Sequence, residues 1–279
     1  MTVLELLQST AAYFSKRKIE NPRLNIEYLL ADALGKKRLE LYLEFDREVP
    51  EPLLEPLRGR VRRRADGEPL QHLLGHWEFF GRTFKTDRRA LIPRPETELL
   101  VETVLREIPS GRGLGGRLAD VGTGSGVLAI TLFLERPLLE VIGLDISEDA
   151  LALARENATQ LSANVTFLHS DLLQSAEGTF DWVVANLPYV ATGDLDALPR
   201  EVKYDPPVAL DGGKDGLTIV KRLIESLPDR LTSNSHVALE VGQGQATQIA
   251  SFFARQNFRD IAIKKDYQGI DRILTARYG

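Results

Sequence analysis

The sequence predicts an α/β fold: an open, mostly parallel sheet of seven strands that ends in an antiparallel pair and follows a small helical domain. Three observations carry this. From about Pro93 onward, short apolar runs alternate with stretches of helical period, as strands joined by crossover helices do. The last two apolar runs are separated by little more than "DYQGID", which leaves no room for a crossover, so they must pair as a hairpin. Up to residue 65, helix signals are present and no convincing strand is.

The chain divides on this reading into a helical domain over 1–70, a bridge over 71–92 and a larger α/β domain over 93–279. In the first, "NPRLNIEYLLADALG" starts with Asn21 as N-cap and Pro22 at the first helical position, and stops at Gly35. Leu24, Tyr28 and Ala31 fall on one side, with Leu30 and Leu34 nearby. In the bridge, aromatic residues flank Gly81 in "HWEFFGRTF", a hairpin signal. Strands are expected at 117–121, 139–144, 165–168, 181–185, 236–241, 261–264 and 272–276, with a helix over 147–160.

Composition narrows the function. A chain of 279 residues, 43% hydrophobic and 27% charged, can bury a large core, and no run approaches the roughly 18 apolar residues of a membrane span. The opening "MTVLELLQST" lacks the basic leader of a signal peptide, which fits a cytoplasmic location. Cysteine is absent, so disulfides, thiolate chemistry and sulfur-ligated zinc are excluded, and no metal is expected. A net charge of −5 argues against coating nucleic acid. The basic run Arg58 to Arg64 reads as a solvated helix face.

"RLADVGTGSGVLAI" puts Gly122, Gly124 and Gly126 between a strand and a helix, where a ligand can approach the backbone and meet helix N–H groups. Alone, such a loop is weak evidence. Asp145 closes the next strand nineteen residues beyond Gly126, where a carboxylate can take both hydroxyls of a ribose, a pairing that indicates a nucleoside ligand. Asp120 precedes the loop. A carboxylate there would repel a pyrophosphate but suits the ammonium or sulfonium of S-adenosylmethionine. "HSDLL" would place Asp171 and the Leu172 backbone beside the adenine, although Asp171 also reads as a helix cap.

The fourth strand runs into "NLPY", Asn186 to Tyr189. An amide nitrogen is a poor nucleophile because its lone pair is delocalised, and it has no readily removed proton. Two acceptors that take its two N–H groups can hold the lone pair toward a methyl donor; the Asn186 side-chain oxygen and the Leu187 carbonyl are adjacent and supply both. Pro188 would stiffen the loop and Tyr189 would stack on the planar group. Alignment alone then provides the catalysis.

With "LIPRPETE" (91–98), "DVGTGSG" (120–126), "FDWVVANLPY" (180–189), "ALDGGKDGL" (209–217) and "GIDRIL" (269–274), the chain resembles the release factor glutamine methyltransferases over nearly its whole length. "IPRPETE" is the most specific of these pieces. The resemblance implies a Rossmann-like class I S-adenosylmethionine-dependent methyltransferase fold. It implies N5-methylation of the glutamine in the Gly-Gly-Gln motif of class I peptide-chain release factors, S-adenosyl-L-homocysteine as the second product, and an N-terminal domain that helps dock the release factor. By position it assigns Gly122, Thr123, Gly124, Ser125, Gly126 and Asp145 to the methyl donor, and Leu172 to its adenine. Asn186, Leu187, Pro188 and Tyr189 would hold the glutamine amide, Asn186 also touching the donor. Thr97 would reach the methionine end of the donor or cap its own helix. The chain is expected to act as a monomer, without nucleic acid or membrane.

The family has Asn-Pro-Pro-Tyr where this chain has Leu187, and Asn-Leu-Pro-Tyr is also similar to the motif of rRNA adenine N6-dimethyltransferases. The alternatives are thus an adenine N6-methyltransferase acting on RNA or DNA, and a non-catalytic cofactor-binding scaffold in translation. His72 and His76 lack the Glu of a zinc-protease motif and read as surface or packing residues; "EVGQGQ" reads as a turn into a helix, and "DGGKDG" as a loop at the pocket rim.

Overall fold

The computed structural model describes residues 1–108 and 115–279, which form two compact units: 1–76 with 199–204, and 77–198 with 205–279. In the first unit, Thr2 and Glu5 form a capping box that starts α1 (Val3–Lys16). It packs against α2 (Pro22–Ala33), followed by a 3-10 segment Arg38–Leu43, α3 (Glu51–Ala65) and the short α4 (Leu70–Leu74). Leu7, Phe14, Ile26, Leu29, Leu30 and Leu41 are wholly buried between them.

Three local expectations fail here. Asn21 does precede Pro22, but it sits in the left-handed region (φ 48°) and its side chain caps nothing. Leu24 is on the exposed face of α2, whose buried positions centre on Ile26, Leu29 and Leu30. Arg64 is 2% exposed rather than solvated: it donates to Asn25 Oδ1 at 2.6 Å and the Glu68 carbonyl at 3.1 Å, and pairs with Glu201 at 2.5 Å. A buried guanidinium holds its place by such donor-for-acceptor matching, which sequence periodicity does not reveal.

At the start of the second unit, β1 (His76–Phe79) and β2 (Arg82–Lys85) form the hairpin expected around Gly81, both turn residues Phe80 and Gly81 having positive φ (49° and 71°). The second unit continues with α5 (Pro95–Glu107), β3 (Arg117–Val121), α6 (Val127–Glu135), β4 (Glu140–Asp145) and α7 (Glu148–Gln160), which Ser147 caps. Next come β5 (Thr166–His169), β6 (Phe180–Asn186), α8 (Thr218–Ser226), β7 (Leu231–Glu240), α9 (Ala246–Ala254), β8 (Phe258–Lys265) and β9 (Asp271–Tyr278).

The seven-stranded sheet has the order β5-β4-β3-β6-β7-β9-β8, parallel except where β9 meets β7 and β8. Alternate residues of each strand serve two cores. Leu118, Val141, Trp182, Val184 and Ala238 pack under α5, α6 and α7, while Ala119, Ile142, Val183, Ala185 and Leu239 pack under α8 and α9. The chain leaves β3 toward β4 and β5, then returns to β6 and β7 on the other side. That reversal opens a crevice at the carboxyl ends of β3 and β6. Among the described residues no helix is long and apolar enough to cross a membrane.

Candidate active site

A cavity of about 390 Å³ lies over those strand ends, large enough for a nucleotide-sized ligand. The loop after β3 forms one side. Gly122, Gly124 and Gly126 all have positive φ (74°, 56° and 83°), conformations that side-chain-bearing residues resist. The Gly122 and Thr123 amides donate to the Leu144 carbonyl at 2.8 and 2.9 Å, folding the loop back over β4. A Cβ on Gly122 would stand 3.0 Å from Leu187 Cδ2, so the cradle between this loop and "NLPY" depends on the missing side chain.

Asp145 ends β4 at the cavity. Its Oδ2 accepts the Gly124 amide at 2.8 Å and its Oδ1 the Ser147 amide at 2.9 Å, tying the glycine loop to the start of α7. Burial raises its pKa, and the backbone donors pull against that. Gly122, Thr123, Gly124 and Ser125 line the cavity with it. Gly126 is not on the lining. It starts α6, where an added Cβ would lie 2.9 Å from Ile130 Cδ1 and 3.1 Å from Ala154 Cβ, so its role is close packing of the helices.

Asp120 departs from expectation in the same way. It lies one residue from the loop but on the α6 face of β3, wholly buried. Its Oδ2 accepts the Thr123 hydroxyl at 2.7 Å and the Ala129 amide at 3.1 Å, while Oδ1 has no partner. It is off the cavity lining and fastens the loop from beneath; burial pushes it up to about 7. Strand alternation, which the sequence reading passed over, turns it away.

On the adenine side of the expected site, Leu172 lines the cavity in a left-handed conformation (φ 52°). Asp171 lines it too, its carboxylate paired with Arg222 at 2.6 Å.

Asn186, Leu187 and Pro188 reach the cavity opposite the glycine loop. Tyr189 does not: its ring lies against Gly242, where an added Cβ would be 3.1 Å from Tyr189 Cδ2. The chain past Pro188 bridges Val190 to Asp211, which carries Tyr189 behind the cavity wall, and Gln245 Nε2 holds its carbonyl at 3.0 Å. "EVGQGQ" does lead into α9, and "DGGKDG" begins at Asp211 on the cavity lining.

The Asn186 Nδ2 donates to Thr97 Oγ1 at 3.2 Å, and that hydroxyl donates to Glu240 Oε2 at 2.7 Å. Thr97, 3% exposed in the first turn of α5, therefore caps nothing with its side chain. Parallel register explains the meeting. Asn186 pairs with Glu240, and both continue the α5-facing series of their strands, after Val184 and Ala238. Glu240 was missed by the sequence reading, as were Arg94, which lines the cavity together with Pro206 and Pro207, and Asp205, which holds the Arg94 guanidinium. The signal for Glu240 was a charged residue ending an apolar strand, the pattern that marked Asp145.

A model of the PrmC N-terminal domain matches residues 5–75, and one of the methyltransferase small domain matches 95–202. The release factor glutamine methyltransferase of Geobacter sulfurreducens is 39% identical over 280 residues, covering 100% of this chain and 97% of its own. The enzyme of that name from Rhodopirellula baltica is 38% identical, covering 98% and 95%. Among solved structures, a Pyrococcus furiosus methyltransferase superimposes with a TM-score of 0.56 at 18% identity, over 72% of this chain and 91% of that one, a likeness of fold. The Rossmann-like methyltransferase fold and the family resemblance are both borne out. With relatives this close along its full length, the chain belongs to the release factor glutamine methyltransferase family.

Proposed function

We propose that this chain transfers a methyl group from S-adenosylmethionine to the N5 nitrogen of the glutamine in the Gly-Gly-Gln motif of class I peptide-chain release factors. Family membership supports glutamine methylation of release factors. The observation that carries the site assignment is the Asn186 amide, its NH2 end held by Thr97, on a cavity wall shared with Leu187, whose side chain meets the glycine loop at Gly122.

The residues fit the methyl donor. The glycine cradle that a Cβ would narrow, the Asp145 carboxylate at a strand end and the apolar Leu172 match a loop for the methionine end, an acceptor for ribose hydroxyls and a wall for a base. When bound, the donor supplies an electrophilic methyl on a sulfonium. The protein's part is alignment: Asn186 Oδ1 and the Leu187 carbonyl accept the two N–H groups of the glutamine amide, and Pro188 stiffens the segment that carries them. No side chain has to remove a proton before attack. Replacing the family's first Pro by Leu187 retains this acceptor, because the carbonyl belongs to the backbone.

In this reading the first unit docks the release factor, the enzyme works in the cytoplasm, and it acts as a monomer. The test is mass spectrometry of a release factor incubated with enzyme and S-adenosylmethionine. One methyl on the Gly-Gly-Gln peptide is expected. An unmodified peptide alongside methylated adenine in RNA would replace this reading with the nucleobase one.

A further inference from the structure

Glu240 binds neither reactant in the proposed site, yet it is a carboxylate 5% exposed, set at the strand end next to Asn186. Burying a charge is costly, and an apolar residue at this position of the sheet would suit stability better. We propose that Glu240 is a positioning residue which, through the Thr97 hydroxyl, fixes the Asn186 amide with its oxygen rather than its NH2 group toward the substrate. The inference rests on the proposed function only in naming the glutamine amide as what Asn186 meets.

An ionised carboxylate is acceptor only, and a hydroxyl has one proton to give. Thr97 Oγ1 lies 2.7 Å from Glu240 Oε2, so that proton goes to Glu240. Its oxygen is then left to accept, and the group at 3.2 Å must be the Asn186 NH2. The two ends of an asparagine amide have nearly the same shape, so packing alone does not choose between them. A flipped amide would direct N–H groups at the N–H groups of the substrate, and the acceptor pair would be lost. The polarity of the site is thus set two hydrogen bonds away from it.

The groups facing Glu240 come from each element around it. Arg272 on β9 and Arg94 before α5 favour the carboxylate, whereas Glu96 on α5 disfavours it; Tyr189 lies close enough to feel its charge. Burial is the largest influence and pushes Glu240 up to about 7. Protonated, it can donate to Thr97, which frees the hydroxyl proton and lets Asn186 turn its oxygen inward. Activity should therefore rise with pH as Glu240 ionises.

The test compares wild type with Glu240→Gln, Thr97→Val and Thr97→Ser, measuring kcat and KM for release factor from about pH 6 to 8.5, and cofactor affinity by calorimetry. Expected are a kcat about tenfold or more lower for Thr97→Val, loss of the rise with pH in both Thr97→Val and Glu240→Gln (whose amide cannot ionise but still offers an acceptor), cofactor affinity within about twofold of wild type, and recovery in Thr97→Ser. A wild-type pH profile in both Glu240→Gln and Thr97→Val with wild-type kcat in Thr97→Val, alongside an inactive Asn186→Ala, would overturn the positioning role and leave the proposed function standing. Should Glu240→Gln fail to fold, the two Thr97 variants decide. Should release factor prove not to be the substrate, the NMR signals of the Asn186 NH2 group still decide: they should follow the Glu240 titration in wild type and not in Glu240→Gln, and signals insensitive to pH in wild type would overturn the proposal.

Discussion

The Arg94 guanidinium donates to the Asp205 carboxylate at 2.7 Å, and the other oxygen of that carboxylate accepts the Ile92 amide at 3.2 Å. The pair joins the segment before α5 to the Pro206–Pro207 wall of the cavity. Burial pushes Asp205 up to about 6 against the pull of Arg94. Asp205→Ala should cost about 2 kcal/mol, below the roughly 3–5 kcal/mol of fully buried pairs, because the Arg94 side chain is 34% exposed and can turn to water. It should also loosen cofactor binding. Denaturant unfolding and calorimetry check both, and a variant as stable as wild type would remove the pair from any structural role.

Asn186→Ala deletes one of the two proposed acceptors without touching the glycine loop. Methyl transfer should fall by about a hundredfold or more, as expected when alignment is the source of rate, while cofactor affinity stays close to wild type. Single-turnover kinetics with near-normal rates would exclude the acceptor pair.

Asp145→Ala should weaken the cofactor by roughly ten- to a hundredfold, the scale of lost hydrogen bonds to a charged group. Part of this comes from the loop, since Asp145 holds the Gly124 and Ser147 amides. Asp145→Asn should recover part of the affinity, because the amide retains one acceptor. Unchanged calorimetric affinity in Asp145→Ala would refute the ribose assignment.

Asp120 predicts a pH dependence of stability. Its folded pKa, about 7, is raised above the ordinary 3.8 by burial. The protonated form is therefore favoured by folding, and the stability it contributes is present at low pH and lost as pH rises through about 7. Asp120→Asn keeps an acceptor for Thr123 and Ala129 but cannot ionise. Relative to wild type it should gain stability progressively between about pH 4 and 7, by up to roughly 4 kcal/mol in all, with no further change above that. Parallel stability curves for the two proteins would show that Asp120 does not titrate in this window.

The parallel sheet was legible because its strands are apolar runs closed by polar residues, and the antiparallel pair because "DYQGID" is short. The glycine loop, Asp145 and "NLPY" were legible for a related reason: chemistry at the crevice uses residues at strand ends. What escaped was direction. Asp120 is as polar and as near the loop as Asp145, but period-two alternation turns it under α6. Thr97 and Glu240 lie 143 positions apart in the chain and meet only through the sheet register. Arg64 looked like its exposed neighbours because a single buried guanidinium leaves no periodic trace. Tyr189 followed Asn186 closely in sequence, yet the Val190–Asp211 bridge carries it out of the cavity.

Pairing of Asn186 with Glu240, and of Asp145 with His169 on the neighbouring strand, brings the strands to one level at the crevice. Such an edge tolerates insertions very unevenly. A residue added after Asn186 or Asp145 lengthens a loop and leaves every strand in phase. One added inside β6 or β7 exchanges the faces of all residues beyond it, so that Asn186 or Glu240 would leave α5 for the opposite core. Length changes in descendants of this sequence should therefore collect in the loops beyond the strand ends and be absent from the few residues before them.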